Sequence, residues 1–368
     1  MQTTGDISKV PKDIAQRVKN AARLGNRFLM QSAAVVIMTL AVATQPGFNI
    51  FRNAHAVMLE EAEHANCLDT MVMASHYPFA HVHMLVGCWL SLPPMVSGAA
   101  SENPFQSQLR LSLLAMLHAT GFPVARLQET SRFANDELLR LCRYANRMPE
   151  LAMVSGSARP EESEKTRKAM NAIWKKQEVV ILLHIEDSSP VTANNSTLNI
   201  PMAVTGMHHL EHFVELVEGK DVMYICAYNA QLNLVKQMAE HLVQGLRQEN
   251  KHTLVDRISC VEFMTIDSSM GKDRKHTIVD YSGSDGFFFE DPRTLIALSR
   301  AKVSTLIIAD MFQLAPHNKV RRGHAFRDVA DYLSDSNAIV KVCKRDRIAW
   351  RRYDNVMKSL GLGLGTTN

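Results

Sequence analysis

The sequence predicts an open α/β sheet fold. Three observations carry that prediction: short apolar runs rich in β-branched residues, helical patterns alternating with them, and Gly-, Asp- and Pro-containing turns between. They are densest from Val261 to Asp310. There Phe263–Ile266, Thr277–Tyr281 and Thr305–Ala309 read as strands, and Thr294–Ala301 as a helix entered through Asp291-Pro292. In open parallel sheets functional groups gather outside the carboxyl ends of strands. The turn with Asp267, Ser268, Gly271, Lys272 and Asp273, and the helical Arg300, are accordingly expected to meet a phosphate-bearing ligand.

In chain order, Lys12–Leu29 has apolar residues at helical spacing, the pattern of an amphipathic helix. Ala34–Leu40 is a β-branched run that predicts a buried strand. Ala56–Leu59 and Met84–Gly87 read as two further strands, Gln106–His118 and Asp136–Tyr144 as helices. Residues 152–170 shift toward Ser, Glu, Lys and Arg, which predicts an exposed, mobile connection. A second α/β unit then follows: strand Val179–Ile185, helix Ala203–Glu218, strand Val222–Ala227, helix Gln231–Leu246, the Val261–Asp310 stretch, helix Ala325–Leu333 and strand Ala338–Val342. This organisation predicts one domain over 30–150, a linker over 151–175, a second domain over 176–345 and a basic, Gly-rich tail over 346–368.

Composition sets bounds. A chain of 368 residues holds two domains with full cores. Hydrophobic content of 46% and charged content of 21% are ordinary for a globular protein, and a net charge of +4 does not by itself announce nucleic acid. Six cysteines without a C-x-x-C pair argue against a zinc finger or a disulfide framework and for a reducing compartment. The longest apolar run, Ala33–Ala43, is too short to span a bilayer, and residues 1–30 lack a signal peptide's apolar core. The expectation is a soluble protein of the nucleus or cytoplasm, not secreted, with no membrane partner.

Six segments, in order, resemble those of superfamily 1 RNA/DNA helicases of the nonsense-mediated-decay, senataxin and Aquarius type. Met58–Glu63 (MLEEAE) is similar to that family's Asp-Glu-Ala segment. The likeness casts Glu60 as the magnesium ligand and Glu61 as the residue that polarises the attacking water. Leu85–Pro94 (LVGCWLSLPP) is similar to its γ-phosphate-sensing loop, keeping Gly87 but with Cys88 and Ser91 replacing an Asp and a Gln. Leu127–Phe133 (LQETSRF) keeps Arg132 at a phosphate-contacting position, with Ser131 in place of an aromatic. Ile225–Gln231 (ICAYNAQ) keeps Tyr228 and Gln231. Met264–Asp273 (MTIDSSMGKD) keeps Thr265, Asp267, Ser268, Gly271 and the acid Asp273 beside Lys272, with Met270 in place of a Gln. Ile296–Lys302 (IALSRAK) aligns Arg300 with the arginine finger; Leu295 precedes it in place of an Asn.

The resemblance implies a RecA-like P-loop NTPase fold with a truncated first and a complete second RecA-like domain, covering about residues 30–345. It implies ATP and Mg2+ as cofactors. Glu60, Glu61, Arg132 and Arg300 become catalytic candidates, and Gly87, Gly271, Lys272 and Asp273 cofactor-binding ones. Tyr228, Gln231, Thr265 and Ser268 would touch single-stranded RNA or DNA. The P-loop G-x-x-x-x-G-K-S/T is absent: Gly-Lys occurs only at Gly219-Lys220 and Gly271-Lys272, each followed by Asp. Without that phosphate cradle, positioning, the larger part of phosphoryl transfer, is lost. The expectation is a degenerate or truncated helicase-like protein that binds nucleic acid, without ATPase activity by itself. The alternatives are an ATP-dependent helicase whose P-loop half is missing from this gene model, and a protein-interaction module on a helicase fold.

Two local signals compete. His208-His209-Leu210-Glu211-His212 spells H-x-x-E-H, with His208 and His212 on one helical face, but no third zinc ligand is evident and a packing helix is expected. The basic runs 341–352 and Lys319–Arg322 could grip phosphates or be solvated surface.

Overall fold

The computed structural model describes residues 11–45, 53–96, 103–146, 154–155, 159–186, 188–193, 196–283, 291–311, 325–342 and Tyr353. These fall in two compact units, residues 1–125 and 126–368.

In the first unit, α1 (Lys12–Ser32) buries none of its residues. The run read as a buried strand is instead an unpaired extended segment before the short α2 (Leu40–Ala43): Val35 is 78% and Ile37 94% exposed. Its β-branched composition suits a strand, but a strand also needs a hydrogen-bonding neighbour, and none among the described residues pairs with it. β1 (Ala56–Leu59) and β2 (Val82–Leu85) form a two-stranded parallel sheet, and Met58 and Met84, opposite each other in register, are both exposed. A small core of Ala43, Met73 and Tyr77 lies where α2 meets α3 (Cys67–His76). The single helix expected over Gln106–His118 is broken into α4 (Gln106–Leu109) and α5 (Leu113–Ala119). Ser112 is the reason: its Oγ accepts from the N–H of Ala115, the N-cap bond that starts a new helix.

The second unit is α/β, as expected, built on one six-stranded sheet. Its strands are β5 (Val180–Ile185), β8 (Val222–Cys226), β9 (Glu262–Thr265), β10 (Arg274–Asp280), β11 (Ala301–Ala309) and β12 (Ile339–Val342). Their spatial order is β12-β5-β11-β10-β8-β9, every pair parallel. Parallel strands bury both faces and so appear in sequence as continuous apolar runs; every residue of β5 and β8 is buried. Crossovers are made by α8 (Ile200–Val214), α9 (Asn229–Gln248), α10 (His252–Ser259), α11 (Asp291–Leu298) and α12 (Ala325–Asp335). Two short pairs, β3 (Glu129–Thr130) with β4 (Val154–Ser155) and β6 (Val191–Ala193) with β7 (Ser196–Leu198), and α6 (Asp136–Ala145) complete it.

Much of the stretch read as a mobile connection is the helix α7 (Pro160–Trp174). Proline at its first position and acids in its first turn suit a helix N-terminus, and Ser163, Thr166, Ala169 and Met170 are buried at helical spacing. Its buried stripe uses small and hydroxyl residues, so an apolar pattern never showed. Among the described residues no helix is long and apolar enough to cross a membrane. The basic run Lys319–Arg322 and most of 341–352 lie outside the described residues.

Candidate functional site

The second unit's candidate residues divide between the two ends of its sheet. Register fixes which is which: Cys226 lies level with Thr265 and Asp280 at the carboxyl ends, Arg274 level with Ala301 at the amino ends.

At the carboxyl ends, Thr265 and Ser268 close a tight turn. The Ser268 Oγ accepts from the Thr265 N–H at 2.9 Å, and the two hydroxyl oxygens stand 2.9 Å apart. Ser268 is exposed and Thr265 partly so, which leaves hydroxyls facing solvent. The turn is held from below by Asp267, whose carboxylate accepts two bonds from Arg293, at 3.0 Å from Nε and 3.4 Å from Nη2. Arg293 is 1% exposed. Tyr228, half-buried, occupies the N-cap of α9.

Gln231, expected to touch a bound strand, is fully buried instead. Its Nε2 donates to Asp280 Oδ2 at 2.7 Å and to the Asn199 carbonyl at 3.1 Å, while its Oε1 accepts from the Asn199 N–H at 2.8 Å. With both ends of the amide engaged, it shapes the site from beneath. Asp280 also accepts from the Tyr224 hydroxyl at 3.1 Å, and Asn199 Nδ2 continues the chain to Ser188, which donates to Asp310. Burial pushes the Asp280 carboxyl up to about 7, against the opposing pull of its bonds from Gln231 and Tyr224.

At the amino ends stand the cations. Arg132 Nη1 donates to the Ser299 carbonyl at 2.9 Å across 167 positions of sequence. Arg300 folds back onto the same turn, donating to the Ile296 carbonyl at 2.9 Å, the Ser299 Oγ at 2.8 Å and the Lys272 carbonyl at 3.3 Å. The Arg300 carbonyl in turn accepts from the Arg274 N–H, binding this turn to the start of β10. Lys302 pairs with Asp273 at 2.5 Å, and Lys272 with Glu262 at 2.7 Å. Gly271 adopts φ 71°, a left-handed conformation that glycine takes without strain, and lets the chain turn into this cluster. Arg132 and Arg300 both lower the Cys142 thiol, but burial dominates and raises it to about 12, so Cys142 is an inert neighbour. The expectation that Lys272, Asp273 and Arg300 sit at carboxyl ends is corrected: Lys272 and Asp273 close the turn that enters β10, and Arg300 closes the turn from α11 into β11, so all three reach amino ends.

In the first unit Glu60 and Glu61 lie just past β1, both exposed, with Glu61 in a left-handed conformation at φ 51°. The Ala62 N–H donates to the Val86 carbonyl, which brings this turn beside Gly87. The buried carboxylate here is Glu63, 7% exposed and packed directly against Gly87, where any added side chain would have to displace it. Mg2+ takes one or two carboxylates together with phosphates and water, and Glu60 offers one. Among the described residues no three His, Cys, Asp or Glu side chains converge on a metal position. In the H-x-x-E-H helix, His209 is buried, stacked between Trp174 and Phe213, and accepts from Trp174 Nε1 at 2.7 Å. It is a packing histidine.

Sequence reasoning missed Asp280, Asn199, Arg293 and Glu63. A lone Asp closing the apolar strand HTIVD, and the Asp-Pro-Arg at the start of α11, were the available signals.

Residues 128–311 match the family model of an AAA domain (AAA_12). Among solved structures, the arterivirus nonstructural protein 10 helicase in complex with DNA shares 11% identity, with 71% of this chain and 41% of that one covered at a TM-score of 0.34. The PRRSV helicase shares 13% identity, with 90% and 56% covered at a TM-score of 0.37. The chain thus spans about half the length of these structures. No curated protein sequence matches it significantly.

Proposed function

The chain belongs to the AAA domain family AAA_12, matched over half its length, and from that premise we propose that it is a degenerate superfamily 1 helicase-like protein of the nonsense-mediated-decay, senataxin and Aquarius type. In this reading the second unit binds single-stranded RNA or DNA, and the chain by itself does not turn over ATP. One observation carries it: the motif residues, scattered from Arg132 to Arg300, segregate into a hydroxyl turn at one end of a single sheet and a guanidinium pair at the other.

The hydroxyl turn of Thr265 and Ser268, beside the N-terminus of α9, suits phosphate and sugar oxygens, the contacts that hold a strand without reading its sequence. Arg132 and Arg300, anchored through backbone carbonyls, suit a polyphosphate. ATP with Mg2+ would supply the phosphoryl group; the residues of this chain would hold and neutralise it. Two substitutions oppose turnover. Cys88, its thiol raised by burial, cannot replace a carboxylate, and Ser91 cannot replace an amide at the γ-phosphate loop.

Filter binding of a single-stranded RNA across a salt series tests the binding half. Affinity that falls steeply with salt, and falls further in Ser268→Ala, is expected. No detectable binding at low salt would favour a protein-interaction module instead.

A further inference from the structure

Helix α1 is unused by the proposed function, and among the described residues it is the one helix longer than two turns that buries nothing. It runs 21 residues, from Lys12 to Ser32, and buries none of them. At about 100° per residue, Ile14, Val18, Phe28 and Leu29 fall within an arc of roughly 100° on one face, with Leu24 at its edge. These five are 47–71% exposed. The opposite face carries Lys12, Lys19, Arg23 and Arg27, Arg17 flanks the apolar arc, and Asp13 is the one acid.

We infer that α1 is a membrane-surface helix, lying flat on an anionic bilayer with its apolar arc in the acyl boundary and its cations among the headgroups. The charge pattern selects this occupant. A strand of nucleic acid would satisfy the cations and leave Val18, Phe28 and Leu29 in water. A second copy of the helix would cover the apolar arc but leave the cations of the opposite face in solvent, with one Asp to offset five cations. An anionic lipid surface satisfies both faces at once. Too polar to span a bilayer, α1 agrees with the lack of any membrane-crossing helix among the described residues. The expectation of no membrane partner rested on the absence of a span, which a surface-lying helix does not need.

The test is flotation of the full chain with vesicles of phosphatidylcholine alone or with phosphatidylserine. Binding to the anionic vesicles and little to the neutral ones is expected. Each Lys or Arg near such a surface contributes about fivefold in affinity, so K19Q/R23Q/R27Q lowers binding about a hundredfold. L24E/F28E/L29E abolishes it. Every changed side chain is exposed, so both variants keep the parent's unfolding transition. Phe28→Trp adds a reporter whose emission shifts to the blue on binding. No flotation with anionic vesicles overturns the inference. So does flotation that survives L24E/F28E/L29E, which would mean adsorption by charge alone. RNA binding lost in K19Q/R23Q/R27Q without vesicle binding would assign the helix to nucleic acid. A dimer in sedimentation lost in L24E/F28E/L29E, again without vesicle binding, would assign it to a second copy.

Discussion

The two ends of the second unit's sheet carry opposite kinds of polar structure. At the carboxyl end a buried, hydrogen-bonded network of Gln231, Asp280, Tyr224, Asn199 and Ser188 lies beneath a solvent-facing hydroxyl turn. At the amino end the guanidinium and ammonium groups are only partly buried and lean on backbone carbonyls and surface carboxylates. The difference separates stability from ligand binding. Changing the buried network should chiefly cost folding energy, and changing the cations should chiefly cost affinity.

The largest expected effect is on stability at the carboxyl end. Gln231→Leu removes all three bonds of the amide and leaves the buried Asp280 with one donor fewer, a loss of about 3 kcal/mol read from chemical denaturation midpoints. An unchanged midpoint would mean that this network does not hold the fold.

Next comes pH. His209 and His276, buried and neutral, have their pKa lowered to about 3, first by desolvation, whereas that of Asp280 is raised to about 7. The unfolded chain binds protons on both histidines below about pH 6.5, so acidification costs stability there. The folded chain keeps a proton on Asp280 up to about pH 7 where the unfolded chain has lost it above about 4, so acidification through that window gains stability. Between pH 4.5 and 6 these three groups together make stability rise by about 1.4 kcal/mol per pH unit, and Asp280→Asn doubles that to about 2.7. Denaturation at several pH values reads the slope. Equal slopes in the two proteins would contradict a protonated Asp280 in the folded state.

At the amino end, Arg132→Ala with Arg300→Ala should weaken binding of a fluorescent ATP analogue about tenfold or more, while stability falls by about 1 kcal/mol or less, since the pair is partly solvated. A stability loss matching that of Gln231→Leu would erase the distinction between the ends. The smallest effect belongs to the hydroxyl turn: Ser268→Ala should lower single-stranded RNA affinity about threefold, read in the same filter assay.

Much of this fold was legible because parallel strands announce themselves. Val180–Ile185 and Val222–Cys226 are unbroken apolar runs in sequence and fully buried in the structure. Ala34–Leu40 has a similar composition but no partner strand among the described residues, and pairing is not written in a single segment. α7 was hidden because its buried positions are Ser, Thr, Ala and Met among Lys and Glu. In the candidate site, the order of motifs found Arg132 and Arg300, which no local pattern joins. It could not show that Gln231 points inward, because an amide that bonds a ligand and one that bonds Asp280 have the same sequence signature. Nor could it place Arg300 at the amino end, which depends on how α11 delivers the chain to β11.

The proposed function leaves this chain with residues that would face a nucleotide and a strand but without the cradle that turnover needs. ATP hydrolysis measured with saturating single-stranded RNA tests it most directly. The expected result is no phosphate release above background, with the wild type and Arg300→Ala indistinguishable. RNA-stimulated turnover that disappears in Arg300→Ala would contradict it.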